Sequence, residues 1–195
     1  MKPRRDHIVE YLNVLRGVLD ELPLEAVERT LEIFETAYRE NRTVFICGNG
    51  GSHSTASHWV CDFSKGTVSA GAKRMRMIGL GDNIPLLTAY ANDLHYDQVF
   101  AEPLRTYARP GDVVVLLTAS GNSPNILEAA QAARDIGAVT VGLIGFGGGK
   151  LAGLVDHPVV VNCREYGPVE DLHLVLDHII SLHMRSVIAQ GANGR

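Results

Sequence analysis

The sequence predicts an α/β domain built on a doubly wound, five-stranded parallel sheet, with two helices before the sheet and a long helix after it. The sheet is predicted from five short apolar runs rich in β-branched residues, separated mostly by helical stretches. Such runs are typical of strands buried on both faces, as they are where crossover helices cover a parallel sheet. The five runs are 43–47, 75–80, 113–118, 139–144 and 158–162.

The flanking helices are predicted from apolar residues at helical spacing in segments 5–20, 24–40 and 169 to about 190. Pro168 near the start of the last segment and Gly191 after it are typical helix boundary residues. We therefore expect a single domain over 1–190, with N-terminal helices in 1–40 and the α/β core and C-terminal helix in 41–190. The tail 191–195 is expected to be flexible, because it has nothing to pack against.

Composition excludes several classes of protein. A chain of 195 residues with 46% hydrophobic content can bury one sizeable core, and its net charge of −4 argues against a general electrostatic grip on nucleic acid. Its three cysteines show no C-x-x-C spacing, so neither a disulfide framework nor a cysteine-rich zinc site is expected. The basic N-terminus lacks the apolar core of a secretion signal, and we found no run near the roughly 20 apolar residues of a membrane span. We expect a cytoplasmic protein without nucleic-acid or membrane partners.

Two loops rich in glycine and serine follow predicted strands. The first is G-N-G-G-S at 48–52, and the second is T-A-S-G-N-S at 118–123. Ligands of open parallel sheets bind beyond the carboxyl ends of the strands, where helix N-termini offer free N–H groups to anions. Neither loop contains Lys or Arg, and the nucleotide motif G-x-x-x-x-G-K-[ST] is absent, so a monophosphate is favoured. The alternative is that these residues merely form strand-to-helix turns.

A third glycine-rich turn, at 145–149, has no hydroxyl residue and is expected to be a flexible connection without a ligand.

Two pairs of titratable residues have the spacing of a helix face. His58 and Asp62 are four residues apart, and Glu170 and His178 are eight apart, or about two turns. Two imidazoles and two carboxylates are ligands that zinc accepts in tetrahedral geometry. From spacing alone, the alternatives are a solvated surface pair and a histidine packed in the core.

The loops and several further motifs resemble the sugar isomerase (SIS) domain, and within it the phosphoheptose isomerase family. The matching motifs are C-G-N-G-G-S-H at 47–53, A-N-D at 91–93, D-x-V-F at 97–100 and G-G-K-L-A-G at 148–153. The resemblance implies contacts with a phosphosugar at matching positions along the chain. These positions are Asn49, Gly50, Gly51, Ser52, Asn92, Asp93, Thr118, Ala119, Ser120, Ser123 and Glu170.

The same resemblance implies a divalent metal site, with zinc as the expected ion, at His58, Asp62, Glu170 and His178. It also implies acid–base catalysis, for which we assign Asp62 as the base at carbon and His178 as the partner acid and base. Three residues depart from the family pattern, which typically has Glu at position 62, Gln at 170 and a hydroxyl residue at 119. His53, His95 and His173 are secondary candidates.

The activity implied by the resemblance is ketose–aldose isomerisation through an enediol, with sedoheptulose 7-phosphate converted to D-glycero-D-manno-heptose 7-phosphate. A homo-oligomer, expected to be a homotetramer, would build its sites at subunit interfaces. Two alternatives stay open. One is an isomerase for another phosphosugar of a glycan or secondary-metabolite pathway, and the other is a non-catalytic SIS protein that binds a phosphosugar or a partner.

Overall fold

The computed structural model describes residues 3–193 and contains a five-stranded parallel sheet in the order β2-β1-β3-β4-β5. This confirms the predicted fold class. The strands are β1 Thr43–Gly48, β2 Arg76–Gly79, β3 Val113–Thr118, β4 Val139–Ile144 and β5 His157–Val160. The helices are α1 Arg4–Asp20, α2 Leu24–Arg39, α3 Gly51–Cys61, α4 Ile84–Asp93, α5 Ala101–Tyr107, α6 Pro124–Ile136 and α7 Tyr166–Asn193.

Helices cover both faces of the sheet, and each face has its own apolar core. On one face α2, α3 and α7 pack against the strands through side chains such as Phe34, Trp59 and Leu176. On the other face, α5 and α6 pack through Leu104 and Ile126, among others. Since every residue of β1 and β3 is buried, the continuous apolar runs of these strands follow from their central position. The arrangement places α3 and α7 side by side on one face.

Helix α7 is longer than the sequence predicts. It begins at Tyr166 rather than 169 and continues to Asn193, so positions 191–193 of the expected flexible tail are helical, while 194–195 lie outside the described residues. Gly191 does not take the left-handed conformation of a helix-terminating glycine. A glycine within a helix costs only about 1 kcal/mol, which a packed helix tolerates.

Helix α7 is long and apolar enough, by length and composition, to cross a membrane. In this fold its apolar face packs instead against the sheet and α3, with Leu172, Leu176 and Ile180 buried. A core helix of an α/β domain has the same composition, because one of its faces is fully covered.

Candidate active site

The two serine loops meet at one point of the sheet. They follow β1 and β3, which are neighbours, and Gly48 lies in register with Leu117, so both loops leave the sheet at the same level. In the strand order 2-1-3-4-5 this is the position where the chain switches faces, and where ligands of such folds bind. The loops enclose a small pocket together with the first turns of α7. Within the described chain it is lined by Asn49, Ser52, Leu117, Thr118, Ala119, Ser120, Ser123, Tyr166 and Glu170, which include no cationic side chain.

The first loop is held in place by an amide pair. Asn49 and Asn125 each donate through Nδ2 to the other's Oδ1, both at 2.8 Å, and the Tyr96 hydroxyl donates to Asn49 Oδ1 at 3.2 Å. Gly50 has a φ of 55°, which favours glycine, and leads directly into α3. A Cβ on Gly51 would lie 2.6 Å from Glu170 Oε1, so this glycine allows the Glu170 carboxylate to approach the start of α3.

The second loop is shaped by its own hydroxyls. Thr118 Oγ1 accepts from the Gly121 amide, and Ser120 Oγ accepts from the Asn122 amide, each at 3.2 Å. Ser123 is the N-cap residue of α6, yet its hydroxyl makes no capping bond to the helix amides described here, which leaves it available to a ligand. The serine loops thus present hydroxyls and the N-termini of α3 and α6 to the same pocket.

The third glycine-rich turn buttresses the second loop, contrary to the expectation of a flexible connection. The Leu151 amide donates to the Gly121 carbonyl at 3.0 Å, and the Lys150 amide donates to Asn122 Oδ1 at 3.1 Å. Any side chain on Gly149 would collide with the Ser120 carbonyl, 2.4 Å from the Cβ position. The glycines are needed here for close backbone contact between the two loops.

A cluster of four titratable side chains lies at the end of α3 and further along α7, and Asp62 begins the π-helical turn Asp62–Gly66 that follows α3. His58 Nε2 is 3.6 Å from Asp62 Oδ2 and 3.8 Å from Asp177 Oδ2, and His178 Nε2 is 3.8 Å from Asp62 Oδ2. One ligand atom from each of the four residues lies within 4.8 Å of the others. The donor set of two imidazoles and two carboxylates fits a divalent cation such as zinc. Three of the four predicted metal ligands, His58, Asp62 and His178, are therefore brought together.

Glu170, the fourth predicted ligand, does not belong to this cluster. It precedes His178 by eight residues, and a helix rises about 12 Å over that length, so within one chain the two side chains lie at different levels of α7. The carboxylate lies instead against Gly51 and lines the serine-loop pocket. This placement is consistent with the predicted role of Glu170 as a substrate contact, and its role in binding a metal stays a prediction.

Asp177, the fourth member of the cluster, was missed by sequence reasoning. It lies in the run L-V-L-D-H-I-I and is fully buried, and neither of its carboxylate oxygens has a hydrogen-bond partner within residues 3–193. Burial, and then the negative charge of Asp62, raise the pKa of Asp177 to about 7. An acidic residue at a core position of an apolar helix was the signal in the sequence, since such residues are rare unless paired or bound to metal.

The secondary histidines take different positions. His173 is fully buried among core side chains, and burial lowers its pKa to about 4. His53 stands beside the first loop with Nε2 3.6 Å from Asp82 Oδ1. His95 is largely exposed, with Nδ1 accepting from the Asp97 amide at 3.3 Å.

The predicted substrate contacts Asn92 and Asp93 end helix α4 and are exposed. They bond to each other, with Asn92 Nδ2 donating to Asp93 Oδ1 at 2.7 Å. They do not line the serine-loop pocket in the described part of the chain. The closest link is Tyr96, three residues beyond Asp93, which reaches Asn49.

The pocket and the cluster lie at successive levels of the same two helices. Ser52 and Glu170 are in the first turns of α3 and α7, whereas Asp62 and His178 follow ten and eight residues later. The corresponding rise is about 12 to 15 Å along the helices. The two helices are joined between these levels by the Trp59 Nε1 hydrogen bond to the His173 carbonyl, at 3.3 Å.

Comparison with known proteins identifies the family. The SIS domain model matches residues 10–145. The chain is 36% identical over 181 residues to a phosphoheptose isomerase of Mycobacterium tuberculosis, covering 92% of each protein. It is 34% identical over 169 residues to one from Crocosphaera subtropica, covering 87% of this chain and 86% of the relative.

A solved structure agrees with the sequence relatives. The phosphoheptose isomerase GmhA of Neisseria gonorrhoeae superposes with a TM-score of 0.88 at 25% identity, over 94% of this chain and all of that chain. The match extends over nearly the whole fold. The chain belongs to the SIS domain family, and the relatives described above are phosphoheptose isomerases.

Proposed function

We propose that the protein is a ketose–aldose isomerase that converts sedoheptulose 7-phosphate to D-glycero-D-manno-heptose 7-phosphate. The observation that carries the proposal is the arrangement of two sites on one pair of helices. An anion pocket lies at the start of α3 and α7, and a histidine–carboxylate cluster lies further along them. A long phosphosugar carries a phosphate at one end and a reactive carbonyl near the other, so the pocket would bind the phosphate and the cluster would act on the carbonyl end. Phosphoheptose isomerases among the relatives support this choice of substrate.

The serine-loop pocket would hold the phosphate without a cationic side chain. Ser52, Ser120 and Ser123 line it, and the N-termini of α3 and α6 add free amide groups and a partial positive charge. Such groups bind a monophosphate through many short hydrogen bonds rather than through net charge. The phosphate thereby fixes the sugar so that its carbonyl end reaches the cluster.

The acid–base steps are assigned to Asp62 and His178. Asp62 would remove a proton from C1 of the ketose, while His178 gives a proton to the oxygen on C2, which forms the enediol. His178 would then take the proton from the oxygen on C1, and Asp62 would return a proton to C2, which completes the aldose. The two side chains lie 3.8 Å apart, so both can reach adjacent carbon and oxygen atoms.

A divalent ion, for which we propose zinc, would be held by His58, Asp62 and His178 and would stabilise negative charge on the substrate oxygens when bound. The cluster fits such an ion, since its atoms are the nitrogen and oxygen donors that zinc accepts. Asp62 and His178 would keep the acid–base roles described above through the atoms that the ion leaves free, which are the second carboxylate oxygen of Asp62 and the second ring nitrogen of His178.

We further propose that the protein is a cytoplasmic homotetramer. Helix α1 exposes Ile8, Val9, Leu12 and Leu19, which are 40% to 58% accessible. A row of this kind on one helix is typical of a surface that is covered by another subunit. The cluster side chains of His58 and His178 are about half exposed in the single chain, so an adjoining subunit would help to enclose the site.

A second candidate function is isomerisation of a different phosphosugar, which is favoured by the Glu170 carboxylate in the serine-loop pocket. A carboxylate accepts hydrogen bonds from sugar hydroxyls but repels phosphate, so it restricts how the sugar can lie. Glu170 would therefore influence which stereochemistry and which chain length of sugar the enzyme prefers.

A phosphosugar panel tests the proposal. Metal-loaded protein is incubated with C5, C6 and C7 ketose phosphates, binding is followed by thermal shift, and products are identified by NMR. We expect turnover to be fastest with sedoheptulose 7-phosphate. Faster turnover of another sugar would favour the second candidate, and stabilisation by a sugar phosphate without any turnover would show a binding protein instead.

A further inference from the structure

The serine-loop pocket is too small to hold a whole phosphosugar. Its volume is about 110 Å³, whereas sites that enclose a complete small molecule usually measure about 300 to 1,000 Å³. A phosphate group fits this space, and the carbon chain attached to it must pass out through the mouth of the pocket. The side chains at that mouth are therefore the first ones that the sugar meets.

Tyr166 stands at the mouth of the pocket. It is the only exposed residue among those that line the pocket in the described chain, and its accessible fraction is 64%. Its aromatic ring is also the largest side chain of the set. A ring in this position offers a flat apolar face, on which the C–H groups of a sugar can pack while the sugar's hydroxyls stay in water.

Phe146 contacts the ring of Tyr166 and holds it in place. The two ring centroids are 4.9 Å apart and the planes meet at 72°, which is an edge-to-face contact. Phe146 has a φ of 50°, a left-handed conformation that a bulky residue rarely adopts, and its amide donates to the Cys163 carbonyl at 2.9 Å. Every other residue of the turn 145–149 is glycine. A bulky side chain kept at this one position indicates that its ring contact is needed.

Helix α1 fixes the start of α7 independently. The Tyr11 hydroxyl donates to Asp171 Oδ2 at 2.5 Å, and this hydrogen bond, followed by burial, raises the pKa of Tyr11 to about 12. Gly167, which follows Tyr166, leaves space for the same hydroxyl, since a Cβ there would lie 2.9 Å from it. The turn that carries Tyr166 is thus held by two elements, and a side chain that is already held in place loses little freedom when a ligand binds.

We propose that Tyr166 is a specificity-determining residue whose ring packs against the carbon chain next to the phosphate, and that Phe146 positions this ring. The inference rests on the phosphosugar ligand of the proposed function, but not on the isomerase reaction. Tyr166 would add affinity for a phosphate that carries a carbon chain and none for inorganic phosphate, because only the first extends past the mouth of the pocket. The ring would also fix the direction in which the chain leaves the pocket.

Two probes separate contact with the carbon chain from contact with the phosphate. Sorbitol 6-phosphate has an open carbon chain but no carbonyl, so it cannot be isomerised, and inorganic phosphate has no chain at all. Their Kd values are measured by isothermal titration calorimetry on the purified full chain at one pH and ionic strength. We expect wild type to bind sorbitol 6-phosphate more tightly than phosphate. Tyr166→Ala is expected to weaken binding of sorbitol 6-phosphate about 10-fold and to change that of phosphate by less than about 2-fold.

Further variants show which feature of the site matters. Tyr166→Phe keeps the ring and is expected to bind both probes within about 3-fold of wild type. Phe146→Gly removes the positioning ring where the backbone conformation favours glycine, so it is expected to weaken sorbitol 6-phosphate about 3-fold without affecting phosphate. Phe146→Tyr restores a ring and is expected to bind both probes like wild type. The matched control Tyr107→Ala removes an exposed tyrosine at the end of α5 and is expected to change neither Kd.

The inference is overturned if Tyr166→Ala weakens both probes equally or neither of them, or if wild type binds the two probes alike. Thermal unfolding accompanies each titration. If Tyr166→Ala does not fold, Tyr166→Gln, which keeps a long side chain without a ring, is used in its place and the same selective loss is expected. Selective loss in a protein that turns over no ketose phosphate would support the role of Tyr166 and refute the isomerase proposal, so the two can fail separately.

Discussion

Individual side chains at the end of α3 and on α7 carry the proposed chemistry. Asp62 and His178 belong to one cluster. Asn in place of Asp62, or Gln in place of His178, removes a proton acceptor and keeps a polar side chain of similar length. We expect Asp62→Asn and His178→Gln to lower kcat by about 10²- to 10⁴-fold, the usual contribution of a positioned acid or base. Steady-state kinetics with sedoheptulose 7-phosphate, on protein of verified metal content, measures this effect.

The control for Asp62→Asn and His178→Gln is His157→Gln. His157 begins strand β5 at the amino end of the sheet, opposite the loops. Its kcat is expected to equal that of wild type. Full activity in both Asp62→Asn and His178→Gln would show that the acid–base pair lies elsewhere.

His173 makes folding stability depend on pH. Burial lowers its pKa to about 4, whereas an unfolded histidine titrates near pH 6.5. Between these values the unfolded state binds the proton and the folded state does not, so stability falls as pH drops from about 6.5 toward 4. Metal-free wild type is expected to lose about 2 kcal/mol more than His173→Leu between pH 7 and pH 5.

The free energy of unfolding of wild type and of His173→Leu is measured by urea denaturation at each pH. The difference between the two proteins removes the contribution of titratable groups that both contain. His173→Leu suits it because neither ring nitrogen of His173 has a partner among the described residues. Equal pH dependence in the two proteins would mean that His173 is solvated or paired in the folded state.

At the same scale, the sequence could identify some site residues better than others. His58, Asp62 and His178 were predicted correctly as neighbours, because helical spacing and family resemblance agree on them. Asp177 was overlooked, since spacing along a helix shows which face a residue occupies but not which tertiary partner it meets. Only the fold shows that, within one chain, the cluster is at one level of α7 and Glu170 is at another.

At the scale of elements, the start of α3 and the first turns of α7 form one functional unit. Gly51 leaves room for Glu170, whose carboxylate oxygen is 2.6 Å from the position of a Cβ. Gly51→Ala is expected to displace this flexible side chain and raise KM about 10-fold, or ~1.4 kcal/mol of binding. Glu170→Ala is expected to have a similar effect, and the double variant to be no worse than either single one.

Kinetics of the four proteins in this double-mutant cycle checks the coupling, with thermal unfolding to show that each remains folded. Additive effects on KM would mean that Gly51 acts through the backbone of the first loop rather than through Glu170.

Strand positions were predictable to within one or two residues because buried β-branched runs leave few alternatives. The apolar runs at 113–118 and 139–144 match β3 and β4, whereas helix α7 was predicted too short. Gly191 was taken as its end, but the stability of a long packed helix outweighs the small cost of one glycine. The turn at 145–149 was likewise unpredictable, because its glycines allow close backbone contact with a loop distant in sequence.

At the scale of the whole molecule, the exposed apolar side chains of α1 predict association. Wild type is expected to have about four times the mass of the 21.1 kDa chain by light scattering after size exclusion. Leu12→Lys, which places a charge among the exposed apolar residues, is expected to give smaller species. The control Gln131→Lys, on the exposed side of α6, is expected to leave the mass unchanged. A monomeric wild type would contradict the proposed assembly.

The central claim is that the pocket and the cluster act together to move a proton between C1 and C2 of a phosphosugar. The most direct test is incubation of metal-loaded wild type with sedoheptulose 7-phosphate in D₂O, followed by NMR of the sugar. We expect deuterium at C1 of the ketose and at C2 of the aldoheptose phosphate formed, with both signals lost in Asp62→Asn. Wild-type protein that binds the sugar yet yields neither aldose nor deuterium exchange would contradict the account.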